Sequence, residues 1–385
     1  PGTGTLLRVT ATNGLTLPAG GAVATVNVVN ASLAVGTYPI LDYAGAVQGG
    51  DVTNLVLGTL PPRTVMYLTN NTVNTSIDLV VVTAGEPIKW LGNVSGQWNI
   101  DAPTNWLTVL GGLPTAYLQA GAVGDALQFD DTAVGNFSIT LQTNVSPASM
   151  LVSNDANDYA IGGGFGIGGA MALRKFGTAR LTLETSNSFA GGILVAGGTL
   201  QLGNGGVGGA PGAGPISNNA SLVFVPGDTV SVAAVISGAG TLTKAGAGKL
   251  TLSADNTYTG ATVVNRGVLE FSTPNFNTYR GGAIAINSGS TVRIVQTGGS
   301  LRYDFPGKTF AFDSAGGGVM ELGAALNFTF TGGGCTFTTA GGAENRLQGL
   351  SGVNMANNPV TFAVEPGTDA VALAVSVPMG NSSGG

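Results

Sequence analysis

A 28-residue segment occurs twice in this chain and constrains its fold more than any other feature. The copies cover residues 175–202 and 244–271, an offset of 69 positions, and 10 of the 28 aligned positions are identical. Each copy is a series of short runs in which apolar and polar residues alternate, separated by Gly and Asn where the chain must turn. Repetition of a strand-and-turn unit is typical of proteins that stack similar coils on one another. The sequence therefore predicts a stacked, all-β architecture.

The composition favours stacked coils over a disordered chain. Charged residues make up 9% of the 385 residues and Gly accounts for 64 of them, against usual shares of about 25% and roughly 7%. Stacking disfavours charge because a residue repeated in register faces its own copy about 4.8 Å away. The 43% of hydrophobic residues argues against disorder, since disordered chains lack apolar surface to bury.

The charge and hydropathy patterns argue against several partners. The net charge of −6 and the 14 scattered Lys and Arg residues disfavour nucleic acid and anionic membrane surfaces. No apolar run approaches the roughly 18 residues of a spanning helix, so we expect no membrane insertion. Because the chain begins with Pro1 rather than Met, we interpret it as a processed or excised piece of a longer product.

Four stretches differ in pattern. Residues 1–85 predict β-solenoid coils, and residues 86–160 predict a Trp-containing junction that continues into the solenoid. Residues 161–272 hold both repeat copies, and residues 273–385 predict further coils with an aromatic-rich core and a C-terminal linker. Phenylalanines at same-face spacing predict that aromatic core, and they are Phe305, Phe310, Phe312, Phe328, Phe330, Phe337 and Phe362.

The three tryptophans of the chain form one block. Trp90, Trp98 and Trp106 follow each other at intervals of eight residues. One interpretation is a plug that covers the core where one solenoid segment ends and another begins, and the other is a platform on which a carbohydrate stacks. The plug is favoured because Trp is a large core-filling residue, and the same three residues are kept as candidate glycan contacts.

Carboxylates are densest between residues 125 and 158. Asp125, Asp130, Asp131, Asp155 and Asp158 lie there. A calcium site or an acid/base pair would need several of these groups to converge, but their spacing lacks the acidic alternation of a calcium loop. Solvated turn positions are the favoured interpretation.

Residue types that carry chemistry are otherwise scarce. The sequence contains no histidine, which removes His-based triads and His metal sites. Cys335 is the single cysteine, so it cannot form a disulfide within this chain, and we expect a small buried hydrophobe rather than a reactive thiol. We predict no catalytic residue, no metal site, no cofactor and no enzymatic activity, with a polysaccharide-degrading β-helix enzyme as a remote alternative.

The repeat carries a recognisable pattern of L-T-L, Asn, an aromatic residue, Gly, an apolar strand and G-x-L. Its positions are Leu181, Thr182, Leu183, Asn187, Phe189, Gly191, Val195, Gly198 and Leu200 in the first copy, and Leu250, Thr251, Leu252, Asn256, Tyr258, Gly260, Val264, Gly267 and Leu269 in the second. This pattern resembles the autotransporter-associated β-strand repeat, also called the passenger-associated transport repeat. The first copy departs from it in the lead-in, where FGTAR replaces a turn rich in Gly and Ala.

The resemblance implies a right-handed parallel β-helix that forms an elongated rod in the exported passenger of an extracellular or cell-surface bacterial protein. Within the repeats, we predict turn and stacking roles for Asn187, Gly191, Gly198, Asn256, Gly260 and Gly267. The leading functional prediction is a non-catalytic structural rod or filament segment. Because open β-helix ends expose unpaired strand edges, we expect self-association or continuation by adjoining segments of the same longer chain. The alternative is a surface adhesin that binds glycans or surfaces through lateral loops and the Trp block.

Overall fold

The computed structural model is a β-solenoid built from stacked parallel strands. It describes residues 7–18, 24–28, 33–273, 277–278, 280–296, 302–304, 308–313, 315, 317–322, 327–329, 335–339, 344–349, 353–354, 360–364, 373–376 and 379–380. Within these ranges the one helical element is a short 3-10 turn at Val52–Asn54, and no helix has the length and apolar character to cross a membrane. The prediction of an all-β parallel solenoid is confirmed.

Three long sheets form the walls of the solenoid, and a fourth, separate sheet is shorter. The first wall has twelve described strands in the order Gln97–Trp98, Ser138–Leu141, Tyr159–Gly162, Arg180–Leu183, Thr199–Leu202, Ser221–Phe224, Thr241–Lys244, Thr262–Val264, Ile284–Ile286, Thr309–Phe312, Cys335–Thr339 and Val360–Val364. The second wall has nine, in the order Pro114–Thr115, Trp106–Thr108, Ile88–Trp90, Ala126–Asp130, Ser149–Ser153, Leu173–Phe176, Ile193–Val195, Ile216–Asn218 and Ile236–Ser237. The third wall has seven, in the order Thr229–Val232, Lys249–Leu252, Gly267–Thr273, Ser290–Gln296, Val319–Leu322, Asn345–Gly349 and Leu373–Ser376. The shorter sheet has five, in the order Asn277–Thr278, Arg302–Asp304, Asn327–Thr329, Val353–Asn354 and Met379–Gly380.

Strand alternation and strict register produce one continuous core from residue 88 onward, and the N-terminal part has a separate, smaller cluster. Every second residue of a strand points inward, and in the first wall Leu183, Leu202 and Phe224 lie directly above one another. All three side chains are buried. The core formed by such columns extends from Ile88 to Leu347, so each coil buries its apolar face against its neighbours.

Phenylalanine stacking continues this core in the later coils. The ring centroids of Phe310 and Phe337 lie 5.1 Å apart, and those of Phe337 and Phe362 lie 5.3 Å apart, with nearly parallel planes. Phe305 and Phe330 fall outside the described residues, as do the side chains of Phe328 and Cys335.

The N-terminal part combines two stacked coils with a hairpin. Its four-stranded sheet has the order Leu7–Thr12, Gly36–Ala44, Ser76–Thr83 and Val65–Asn71. Two-stranded parallel pairs join Thr16–Leu17 to Gln48–Gly49 and Ala24–Val26 to Leu55–Leu57. Outside this part, an antiparallel pair joins Gln119–Ala120 to Val123–Gly124. The last two strands of the four-stranded sheet pair antiparallel, which differs from the coils predicted over residues 1–85. The reason is the short connection at residues 72–75, because a parallel pair needs a much longer crossover.

Candidate functional site

Each repeat copy begins with a lysine that lies in the core. Lys244 is 0% exposed and takes the inward position of the first wall next to Phe224 in the preceding coil. Its ammonium donates hydrogen bonds to the carbonyl oxygens of Gly246 at 2.5 Å and Arg266 at 2.8 Å. The aliphatic stem therefore packs in an apolar column, while the charge satisfies carbonyls of the turn.

Lys175 repeats this arrangement in the second wall. It is also 0% exposed, and its ammonium donates to the carbonyl oxygens of Phe176 at 2.5 Å and Gly177 at 3.1 Å. Burial lowers the pKa of Lys244 to about 8. Burial also lowers the pKa of Lys175, but nearby aspartates, Asp155 first among them, oppose that shift. Sequence reasoning missed the burial of these lysines, although the occurrence of Lys at the first position of both copies was a signal that could have indicated it.

The two repeat copies occupy different walls. The first copy enters through Leu173–Phe176 in the second wall and continues into Arg180–Leu183 in the first wall. The second copy enters through Thr241–Lys244 in the first wall and continues into Lys249–Leu252 in the third. The repeat therefore encodes a corner with its two flanking strands, and it does not belong to one wall.

Coil lengths account for this rotation. Leu181 and Leu242 occupy the same column of the first wall, three coils and 61 residues apart. The repeat offset is 69 residues, and the additional eight lead from Leu242 to Leu250 on the next wall. The second copy therefore lies three coils after the first along the stack and begins one wall further along the coil.

The repeat asparagines connect neighbouring coils. The Oδ1 atom of Asn187 accepts from the backbone N–H of Ile167 at 3.1 Å, and its Nδ2 donates to the carbonyl of Ala210 at 3.0 Å. The Oδ1 atom of Asn256 accepts from the N–H of Ile236 at 2.8 Å. Both partners of Asn187 lie about one coil away, so these side chains bridge coils in addition to sitting in turns.

The repeat glycines meet two separate requirements. Gly198 and Gly267 adopt φ angles of 61° and 71°, in the left-handed region that favours Gly. At Gly191 and Gly260, an added Cβ would lie 2.4 Å and 2.0 Å from a carbonyl oxygen of the preceding coil. Close stacking at these corners therefore requires the absence of a side chain.

The tryptophan block lies inside the solenoid. Trp90 and Trp98 are 0% exposed and Trp106 is 1% exposed. The ring of Trp106 contacts those of Trp90 and Trp98 edge to face, at centroid distances of 5.0 Å and 5.4 Å, and contacts Phe129 at 5.5 Å. The indole N–H of Trp90 donates to the carbonyl of Asn136 at 2.7 Å. A buried ring has no free face for a sugar, so the predicted glycan contact does not fit the position of these rings, which pack within the core.

One of the clustered aspartates joins the N-terminal part to the solenoid. Asp125 is 2% exposed and accepts from Arg63 through both oxygens, at 2.9 Å and 3.3 Å. Arg63 also donates to the hydroxyl of Thr115 at 2.9 Å. Burial raises the pKa of Asp125, and the bonds to Arg63 oppose that shift. The interpretation of Asp125 as a solvated turn residue is wrong, because its carboxylate is buried and paired with Arg63.

Asp131 and Asp155 hold corners of successive coils. Asp131 accepts from the backbone N–H groups of Asp155 at 2.7 Å and Ala156 at 3.1 Å, and these bonds, with the Asp155 bond the strongest, lower its pKa. Asp155 in turn accepts from the N–H of Thr178 at 2.9 Å. In the described part of the chain, no three His, Cys, Asp or Glu side chains are grouped as metal ligands would be. These carboxylates therefore act between coils as backbone acceptors.

A groove lies on the outer side of the second wall. Its volume is about 790 Å³. Its floor and sides include Ser149, Leu151, Arg174, Phe176, Ala122 and Ala170. Arg174 and Phe176 are exposed, and Phe176 has an exposed fraction of 37%. Sequence reasoning missed this groove because its parts come from three coils.

Comparison with known proteins supports the assignment of the repeats. The family described as passenger-associated-transport-repeat matches residues 173–202 and 242–271, and each match begins two residues before the copy predicted from the sequence. The chain is also 30% identical over 193 residues to a protein named Adhesin BmaC autotransporter from Brucella suis biovar 1 (strain 1330). That match covers 40% of this chain and 6% of the relative. No solved structure matches the chain. The predicted resemblance to the repeat family is confirmed.

Proposed function

We propose that this chain, which carries two passenger-associated transport repeats, is a segment of the exported passenger of a bacterial surface protein. In this proposal it lies outside the cell and acts as a non-catalytic structural rod. The relative named as an autotransporter adhesin supports an exported, surface-associated role.

The continuous core is the observation that carries the rod proposal. A single set of packed side chains extends from Ile88 to Leu347, and the first wall keeps its parallel register through twelve described strands. A stack in which each coil contacts only its neighbours grows along one axis. Such a structure supports a role in spanning distance at the cell surface.

The last described coil supports end-on continuation of the rod. Among the described strands, Val360–Val364 and Leu373–Ser376 each have one hydrogen-bonded neighbour. Phe362 and Val375 on these strands are 36% and 39% exposed. Unpaired edges beside apolar side chains favour the addition of another strand, so we propose that adjoining segments or a second copy stack here.

Association in solution tests this proposal. Sedimentation velocity and small-angle scattering of the purified chain over a range of concentrations should give an elongated particle that lengthens with concentration. Phe362→Asp should suppress lengthening, because it places a charge on the exposed edge. Val207→Asp is the matched control, since Val207 is 85% exposed in a loop, and it should have no effect.

Two outcomes contradict the proposal at different levels. A compact particle for the native chain would refute the rod. An elongated particle whose association responds to Val207→Asp and not to Phe362→Asp would retain the rod but reject end-on stacking. Labelling of intact cells with an antibody against the chain tests the location, and labelling that needs permeabilised cells would refute a surface role.

Adhesion is the second candidate function. The name of the relative favours it, and the lateral groove around Arg174 and Phe176 offers a surface that a rod alone does not require. Binding of the purified chain to host cells or matrix-coated surfaces, compared with a chain that carries Arg174→Gln and Phe176→Ala, tests this candidate. Equal binding by both chains would reject the groove as the adhesive surface.

A further inference from the structure

We propose that the groove on the second wall binds a carboxylate-bearing sugar, with Arg174 pairing with the carboxylate and Phe176 packing against the sugar ring. The proposal goes beyond the rod function, because it concerns the lateral surface and holds whether or not the rod associates end to end. The groove volume of about 790 Å³ falls within the range of roughly 300–1,000 Å³ that is usual for small-ligand sites.

The guanidinium of Arg174 has no ion-pair or hydrogen-bond partner among the residues that the structure describes, in a chain of low charge. Arg63, Arg293 and Arg346 each lie within salt-bridge distance of a carboxylate. For Arg174 the described residues provide no such carboxylate and no hydrogen-bond acceptor for the guanidinium. The planar guanidinium can hold a carboxylate through two parallel N–H···O bonds, so an anionic ligand group is the complement that this side chain lacks.

Phe176 lies on the same strand and on the same outer face. It is two residues from Arg174 within Leu173–Phe176, and alternate residues of a strand are about 6.5 Å apart. Phe176 has an exposed fraction of 37%. A guanidinium and an aromatic face at this separation match a monosaccharide that presents a carboxylate at one end and C–H groups on one face of its ring.

The lining of the groove favours a sugar over a purely apolar ligand. Leu151 faces Arg174 across the parallel pair, and the lining also includes the small side chains of Ala122 and Ala170. The hydroxyl of Ser149 adds a hydrogen-bonding group to this lining. An alternation of apolar, cationic and hydroxyl groups over a short distance suits a ring with both C–H and O–H groups.

Isothermal titration calorimetry of the purified chain tests the proposal with defined probes. The probes are a hyaluronan tetrasaccharide and 3′-sialyllactose, each compared with its carboxyl-reduced form. We expect at least one acidic probe to bind, and carboxyl reduction should weaken its binding by about 10-fold or more. Arg174→Gln should cause a similar loss, and carboxyl reduction should cause little further loss in that variant.

Matched variants separate the site from general charge effects. Arg174→Lys should bind more weakly than the native chain, because it retains charge but loses the planar fork. Phe176→Leu should weaken both acidic probes and their reduced forms, because it retains apolar volume but removes the flat ring. Arg180→Gln makes the same change on the first wall, where Arg180 donates to Gln201, and should leave binding unchanged. Thermal melts followed by circular dichroism establish that the variants are folded.

Several results would overturn the proposal. One is equal affinity for an acidic probe and its reduced form, and another is an equal loss from Arg180→Gln and Arg174→Gln. A third is the absence of binding by both acidic probes at millimolar concentration. Tighter binding of an acidic peptide than of either sugar would also reject the sugar class and assign the groove to a protein ligand.

Discussion

Replacement of Lys244 by Met tests how the solenoid tolerates a charge in its core. Met keeps an unbranched apolar side chain in the column beside Phe224, but it removes the ammonium that donates to the carbonyls of Gly246 and Arg266. The loss of these charged hydrogen bonds destabilises the variant, whereas the removal of a buried charge stabilises it. Because these effects oppose each other, the change at a single pH says little, and the pH dependence is the informative quantity.

The size of the pH effect follows from the pKa of Lys244. Burial lowers that pKa from 10.5 to about 8, and each unit corresponds to about 1.4 kcal/mol, so the total is about 3 kcal/mol. The unfolded state binds more protons than the folded state between these two values, so the free energy of unfolding rises with pH there. This stabilising contribution is fully present above pH 10.5 and is lost as the pH falls through about 8. The Met variant lacks it.

Urea unfolding of both proteins between pH 7 and pH 10.5 measures the effect. The difference in unfolding free energy, native minus Lys244→Met, should increase by about 3 kcal/mol across this range. Burial raises the pKa values of Tyr117 and Tyr159, which lowers stability at high pH in both proteins and cancels in the difference. Lys175→Met is the matched control and should show a smaller increase, because Asp155 opposes the shift there. Parallel profiles for the native chain and Lys244→Met would refute the reasoning.

Three further substitutions probe contacts between coils by urea unfolding. Gly260→Ala places a Cβ 2.0 Å from a backbone carbonyl oxygen and should lower the free energy of unfolding by about 2 kcal/mol or more. In the control Gly164→Ala the added Cβ meets nothing within 4 Å, so this variant should be nearly as stable as the native chain. Equal effects of the two substitutions would argue against close stacking at Gly260. Asn256→Ala removes the 2.8 Å bond to the preceding coil and should cost about 1 kcal/mol, and an unchanged midpoint would show that the bridge contributes nothing. Arg63→Ala leaves the buried carboxylate of Asp125 without its cationic partner and should lower the free energy of unfolding by about 3 kcal/mol. Adding Asp125→Asn should recover most of this loss of stability. No recovery in the double variant would mean that Arg63 acts through packing instead.

The repeat was sufficient to predict the solenoid, because alternation and turn residues are local properties that both copies display. The hydrogen-bond partners of the repeat residues in neighbouring coils could not be predicted from the sequence, for a physical reason. Asn256 could be assigned to a turn from its neighbours, but its bond to Ile236 spans 20 residues, and coil length varies along the chain. The partners Leu181 and Leu200 are 19 residues apart, whereas Leu200 and Leu222 are 22 apart. The groove depends on the same uncertain spacing, since its residues come from successive coils.

The third wall shows how a stacked fold uses the few charges that it contains. In-register stacking would place a repeated charge against its own copy, but here Glu270, Arg293 and Glu321 follow each other in one column with alternating sign. Arg293 lies 3.6 Å from Glu270 and 2.9 Å from Glu321, and Lys249 lies 3.1 Å from Glu270. Each pair is partly exposed and contributes little stability by itself. A slip of the stack by one coil would nevertheless set Glu against Glu, whereas the columns of Leu, Val and Thr would accept the slip at low cost. The alternating charges therefore favour the observed register of these three coils over one in which Glu faces Glu.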